Sequence, residues 1–92
     1  MRVDRFEIFS DQANAAVIRH PERRFPGVLV QGDALSILCS MARAASEGVE
    51  PDTEAALELK QLCDVLDGLL AHYTKVLKDH GLDVPFVERR GG

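Results

Sequence analysis

Between Asp52 and His80 the apolar residues Ala55, Leu59, Leu62, Leu66, Leu69, Tyr73 and Val76 recur at alternating steps of four and three, with no proline among them. That spacing lines them up in one stripe along an α-helix over about three heptads, and such a stripe is stable only when buried against a partner. Cys63, Leu70 and Leu77 add a flanking column that broadens it. The ends are also marked. Asp52 or Thr53 can cap the N-terminus, Glu54 and Glu58 sit near the positive end of the helix dipole, and Lys75, Lys78 and His80 sit near the negative end. Gly81 and Pro85 stop the helix. The predicted span is 52–80.

A shorter helix precedes it, predicted over 33–47. Leu35, Leu38, Ala42 and Ala45 step by three and four, and Ile37 and Met41 widen the face. Gly32-Asp33 supplies the entry, with Asp33 as N-cap, and Gly48 the exit. At roughly 1.5 Å per residue the second helix runs about 40 Å and the first about 20 Å. The first helix can therefore cover about half of the seam. A second copy of the chain is the economical cover for the rest, because an isologous dimer needs only one self-complementary patch. Leu59, Leu62, Leu66, Leu69, Tyr73 and Val76 are the expected interface; the alternative is a monomer whose strands cover the whole face.

The first third reads as strands. In Arg2–Phe9, Phe6 and Ile8 fall on one face of an extended chain and Arg5 and Glu7 on the other. Asp11-Gln12-Ala13-Asn14 is turn-like, and Ala15–His20 carries Val17 and Ile18. His20–Gly27 is a loop punctuated by Pro21 and Pro26, and Val28-Leu29-Val30 is a fully apolar run such as a central or covered strand shows. The expected fold class is α+β: a short antiparallel meander of two or three strands within 1–32, then a helical hairpin, then a tail over 81–92. We expect one domain over 1–92.

Composition limits the function. The net charge is −4, and residues 33–83 carry ten acidic groups against four basic ones, so the acidity belongs to the helices. A nucleic-acid binder would show a basic footprint instead, and that reading is disfavoured. No apolar run reaches the roughly 18–20 residues that span a bilayer, and the charged, alternating start MRVDRFEIFS has no signal-peptide pattern, so we expect a cytoplasmic protein without a membrane partner. Cys39 and Cys63 are then expected as reduced thiols, although a hairpin could bring them face to face.

The segment from Arg19 to Gly27, Arg-His-Pro-Glu-Arg-Arg-Phe-Pro-Gly, is the most unusual stretch. Guanidinium groups are shaped for bidentate contact with a carboxylate or phosphate, and Phe25 can offer a stacking surface. The bland alternative is a solvated basic loop with Phe25 in the core. Gln31 and Asp33 complete the binding candidates, with Arg19, Arg23, Arg24 and Phe25. Asp33 and Ser36 invite a base-and-nucleophile reading, but a serine nucleophile needs a base oriented by a third group, and helix capping explains Asp33 more simply. Asp64, Asp67 and His72 share the polar side of the second helix and read as a solvated face. No catalytic residue, metal site or cofactor is expected.

The run Arg23-Arg24-Phe25-Pro26-Gly27, followed by Gln31-Gly32-Asp33-Ala34-Leu35-Ser36, resembles the signature of a group of small bacterial proteins of unknown function, over about residues 3–46. The resemblance implies a bacterial, stand-alone, domain-sized protein and brings no activity with it. The leading expectation is a non-enzymatic, homodimeric interaction protein, regulatory or immunity-like, whose loop recognises an acidic protein partner or a small anion. The alternative is a small enzyme or anion-binding protein with its site near Arg23, Arg24 and the Gly32-Asp33 turn.

Overall fold

In a computed structural model, residues 1–12 and 15–88 are described. Ala13 and Asn14 of the expected turn, and Arg89 and Arg90 of the tail, lie outside them. The chain divides into two compact units, residues 1–31 and 32–92. The class is α+β, three antiparallel strands followed by two helices.

The first unit holds β1 (Glu7–Ser10), β2 (Ala15–Arg19) and β3 (Gly27–Val30), in the order β1-β2-β3. Strand β1 starts at Glu7, so the expectation of a strand from Arg2 is too long; Arg2 instead pairs with Asp4 at 2.6 Å. Glu7 faces Arg19 and Ile8 faces Ile18, then the register shifts at a bulge between Ile8 and Ser10. Ala15 faces Val30 and Ile18 faces Gly27 on the other side. The middle strand is β2, not the apolar run at β3. Val28 is 64 % exposed, which corrects the expectation of a covered strand. A three-residue apolar run carries no periodicity and so does not reveal whether either face of its strand is covered.

The second unit is an antiparallel hairpin of α1 (Gly32–Glu47) and α2 (Glu54–Asp79). Thr53 is the α2 cap: its Oγ1 accepts the Ala56 N–H at 3.1 Å. Asp52 before it takes φ 64, a left-handed conformation that Asp tolerates better than most side chains. At the other end Gly81 has φ 70, the Leu82 N–H donates to Leu77 O at 2.8 Å, and the Gly81 N–H donates to Lys78 O at 3.0 Å. These two bonds make a Schellman motif, which explains why a glycine stops α2 there. Helix α1 begins one residue before Asp33. Asp33 is therefore not the N-cap; its Oδ1 accepts the adjacent Ala34 N–H at 2.8 Å from inside the first turn.

Small residues set the distance between the helices. Cys39 and Ala42, 4 % and 8 % exposed, are the buried hydrophobic side chains among the described residues. On α2 the larger half-buried apolar side chains are Leu59, Cys63, Leu66, Leu70, Tyr73 and Leu77. They alternate by four and three, but the seam is shifted from the expected one. Leu59, Leu66 and Tyr73 belong to it, whereas Leu62, Leu69 and Val76 remain exposed on its flank. The expected extent also changes. Gly32, the first residue of α1, lies against the ring of Tyr73, so α1 accompanies α2 nearly to its last turn. Beyond that point the returning tail takes over, through Phe86 against Tyr73 (ring centroids 6.3 Å) and Glu88 on Lys78 at 2.7 Å. Within this unit the exposed apolar side chains Leu38, Leu62, Leu69 and Val76 run along one side of the hairpin.

Candidate functional site

At 100° per residue, the neighbours of a helical seam separate into two flanks, and in an antiparallel pair the flanks reached by the same sense of rotation lie on the same side. One side of the hairpin therefore presents Ser36, Ser40 and Arg43 of α1 together with Asp67, Ala71 and Lys78 of α2. These residues do line one groove, of about 660 Å³. Across it Arg43 Nη2 meets Asp67 Oδ2 at 2.9 Å. Asp67 was expected on a solvated face; it is half-buried because the long Arg43 side chain reaches it from the other helix. Asp64, paired with Lys60 one turn earlier at 3.0 Å, is exposed as expected.

The opposite side is apolar. It carries Leu38 and Ala45 of α1 beside Leu62, Leu69 and Val76 of α2, continued outward by Met41 (62 % exposed) and Val65 (61 % exposed). Glu54, Glu58, His72 and His80 are the ionisable residues near this flank, so it carries little charge. Of the expected interface residues, Leu62, Leu69 and Val76 lie on this exposed flank, while Leu59, Leu66 and Tyr73 face α1. Leu38 and Met41 complete a surface that the sequence signalled only as a widened apolar face on the first helix; Ile37 is exposed on the outer face of α1.

In the first unit, register decides which candidate residues meet. Strand residues alternate between the two faces of the sheet. Arg19 takes the face of its partner Glu7, to which Nε and Nη2 donate at 3.1 and 2.7 Å, and its guanidinium lies 5.6 Å from the centroid of Phe9. Arg19 is thus occupied. Ile18 and Leu29 belong to the other face, where they border a hollow of about 560 Å³ together with Phe6, His20 and the loop residues Arg23 and Arg24. The ring of Phe6 meets that of His20 edge-on at 4.8 Å. His20 Nδ1 accepts the Glu22 N–H at 3.1 Å, which fixes its tautomer and leaves Nε2 as the donor of the neutral ring.

Phe25 is 72 % exposed, so the alternative that placed it in the core is wrong. It is held from outside, with the Arg24 guanidinium 5.3 Å above its ring. Among the described residues, neither Arg23 nor Arg24 has a carboxylate partner. Of the six binding candidates, Arg23, Arg24 and Phe25 are brought together. Gln31 is exposed at the far end of β3, about 13 Å along the strand from the loop. Asp33 belongs to the first turn of α1 in the other unit. Phe6 and His20 were missed; extending the Ile8–Ile18 pairing by one residue pair on the same face reaches them.

A family profile matches residues 1–86, taking in both units and all the residues just described. The chain belongs to the DUF6959 family. That is a family of unknown function. No curated protein and no solved structure matches the chain. Cys39 and Cys63 are both thiols, the first buried and the second half-buried. No described group of three His, Cys, Asp or Glu side chains is placed to hold a metal ion, and no described helix is long and apolar enough to cross a membrane.

Proposed function

We propose that this DUF6959 protein is a non-enzymatic, cytoplasmic interaction protein of bacterial type that works as a homodimer. The reading is carried by the apolar flank, on which Leu38, Met41, Leu62, Val65 and Leu69 from two adjacent helices stand exposed on one side. Alone, the hairpin can bury only the seam between its helices. Two hairpins packed flank to flank make a four-helix arrangement in which the second seam is also buried. The flank is about 24 Å long, the length of the 16-residue α1, and about 20 Å wide across two helices. Such a patch offers on the order of 500 Å² per partner, at the low end of specific interfaces, where about 800 Å² is standard. Its low charge suits pairing with an identical face, since few like charges meet.

Sedimentation velocity tests the reading. The protein is expected to sediment as a dimer at tens of micromolar, and Leu69→Asp as a monomer with unchanged helix content. A monomeric wild type at that concentration overturns it.

A second reading concerns the loop. Arg23 and Arg24 have no acidic partner among the described residues and border an apolar hollow, which supports recognition of an acidic group there. Charge reversal at both arginines tests whether any captured anion or acidic partner is lost.

A further inference from the structure

We propose that β3 accepts an extended, acid-bearing segment of another protein as a fourth strand, with the carboxylates of that segment on Arg23 and Arg24. The proposal rests on the acidic-group reading of the loop and is independent of self-association. Two separate observations converge on it.

The first is the edge. A sheet ordered β1-β2-β3 has two outer strands, each with a row of backbone N–H and C=O groups turned away from β2. Strand β1 carries the features that discourage pairing: a bulge between Ile8 and Ser10, and the Glu7–Arg19 ion pair. Strand β3 carries none. Its register with β2 is unbroken over all four residues, its sequence is Gly-Val-Leu-Val, and no charge or proline lies within it. An unblunted apolar edge is a template for another strand.

The second is the hollow beside that edge. Leu29 of β3 borders it, Arg23 and Arg24 stand at its rim, and the nearby Phe25 ring is exposed. A strand laid along β3 turns alternate side chains to this face. An apolar side chain beside Leu29 enters the hollow, and an acidic one past Gly27 meets the guanidinium pair. Backbone pairing then supplies attachment, and the arginines supply choice. This chain cannot supply the acid from its own strands. Strand β3 has none, and Glu7 of β1 is committed to Arg19. Charge complementarity therefore points to an acid-bearing segment and not to a second β3.

The test uses the full chain and a fluorescent peptide with a Val-Thr-Val-Thr-Val centre flanked by paired glutamates, so that either strand direction presents acid to the loop. Binding is expected at micromolar concentration, weakening as salt rises. It should fall at least tenfold for Arg23→Ala with Arg24→Ala, for a probe with lysines replacing the glutamates, and for a probe N-methylated on its central valines. Gly27→Val also weakens it; a β-carbon at Gly27 has nothing within 4 Å, so the added side chain enters the hollow without straining the fold. Circular dichroism confirms that each variant is folded. No binding of the acidic probe, equal binding of the N-methylated probe, or equally tight binding of benzoate alone each overturns the proposal. Leu69→Asp separates the two questions. It should bind the probe as a monomer, whereas a Leu69→Asp protein that stays dimeric and excludes the probe would show β3 occupied by a second copy and overturn the proposal.

Discussion

Gly32 and Tyr73 touch so closely that a β-carbon on the glycine would overlap the tyrosine ring. The contact joins the first residue of α1 to the last stretch of α2 and so fixes how far the two helices run together. Gly32 does not take a positive φ, so here the glycine is required for space and not for backbone freedom. Gly32→Ala should therefore destabilise by about 1–3 kcal/mol, as overpacking does, despite alanine's better helix propensity. In a Tyr73→Ala background the same change should be neutral or mildly stabilising. Urea denaturation of the four proteins checks this, and additive effects would refute the steric account.

Gly81 is the opposite case. Its φ of 70 is the reason for the glycine, and a β-carbon there meets nothing within 4 Å. Gly81→Ala should cost about 1–2 kcal/mol and Gly81→Asn less, since asparagine tolerates the left-handed region. Loss of hydrogen-exchange protection at the Leu82 amide, with the middle of α2 still protected, would locate the damage at the cap.

The Arg43–Asp67 pair holds the helices together from the polar side, with side chains 36 % and 40 % exposed. Solvent screening at that exposure limits its contribution. A double-mutant cycle should give a coupling below about 1 kcal/mol that shrinks with added salt. The exposed Lys60–Asp64 pair should give less still.

If the apolar flank is a dimer interface, thermal stability depends on protein concentration. A tenfold increase adds about 1.4 kcal/mol per dimer, which shifts Tm by a few degrees for a domain of this size. The Leu69→Asp variant should lose that dependence. A concentration-independent Tm in the wild type would place the protein among monomers.

The elements themselves were legible in the sequence, and the surfaces between them were less so. Both helices announce themselves by periodicity and stop signals, and Gly81 does what its position predicts. The seam on α2 was displaced by one column, because Leu59, Leu66 and Tyr73 are shared by two interleaved heptad patterns. Periodicity fixes the centre of a broad stripe but not which flank receives the neighbour. That choice is made by Cys39 and Ala42 on α1 and by the reach of Arg43 to Asp67, which are properties of the partner helix. In the strand unit, Arg23, Arg24 and Phe25 stood out by composition. Their neighbours Phe6 and His20 did not, because register depends on a pairing no single strand encodes.

The main pairings of the fold, β1 with β2, β2 with β3 and α1 with α2, all join elements adjacent in sequence. Chains whose pairings are this local close only short loops and fold faster than those built on distant pairings. Nothing in that topology delays folding until a partner arrives. Association of two copies would then be a separate, second-order event, slow when the protein is scarce and fast when it is abundant. Newly made chains would spend their early life folded but unassembled, with the apolar flank in water, and the rate of synthesis would set how long that lasts.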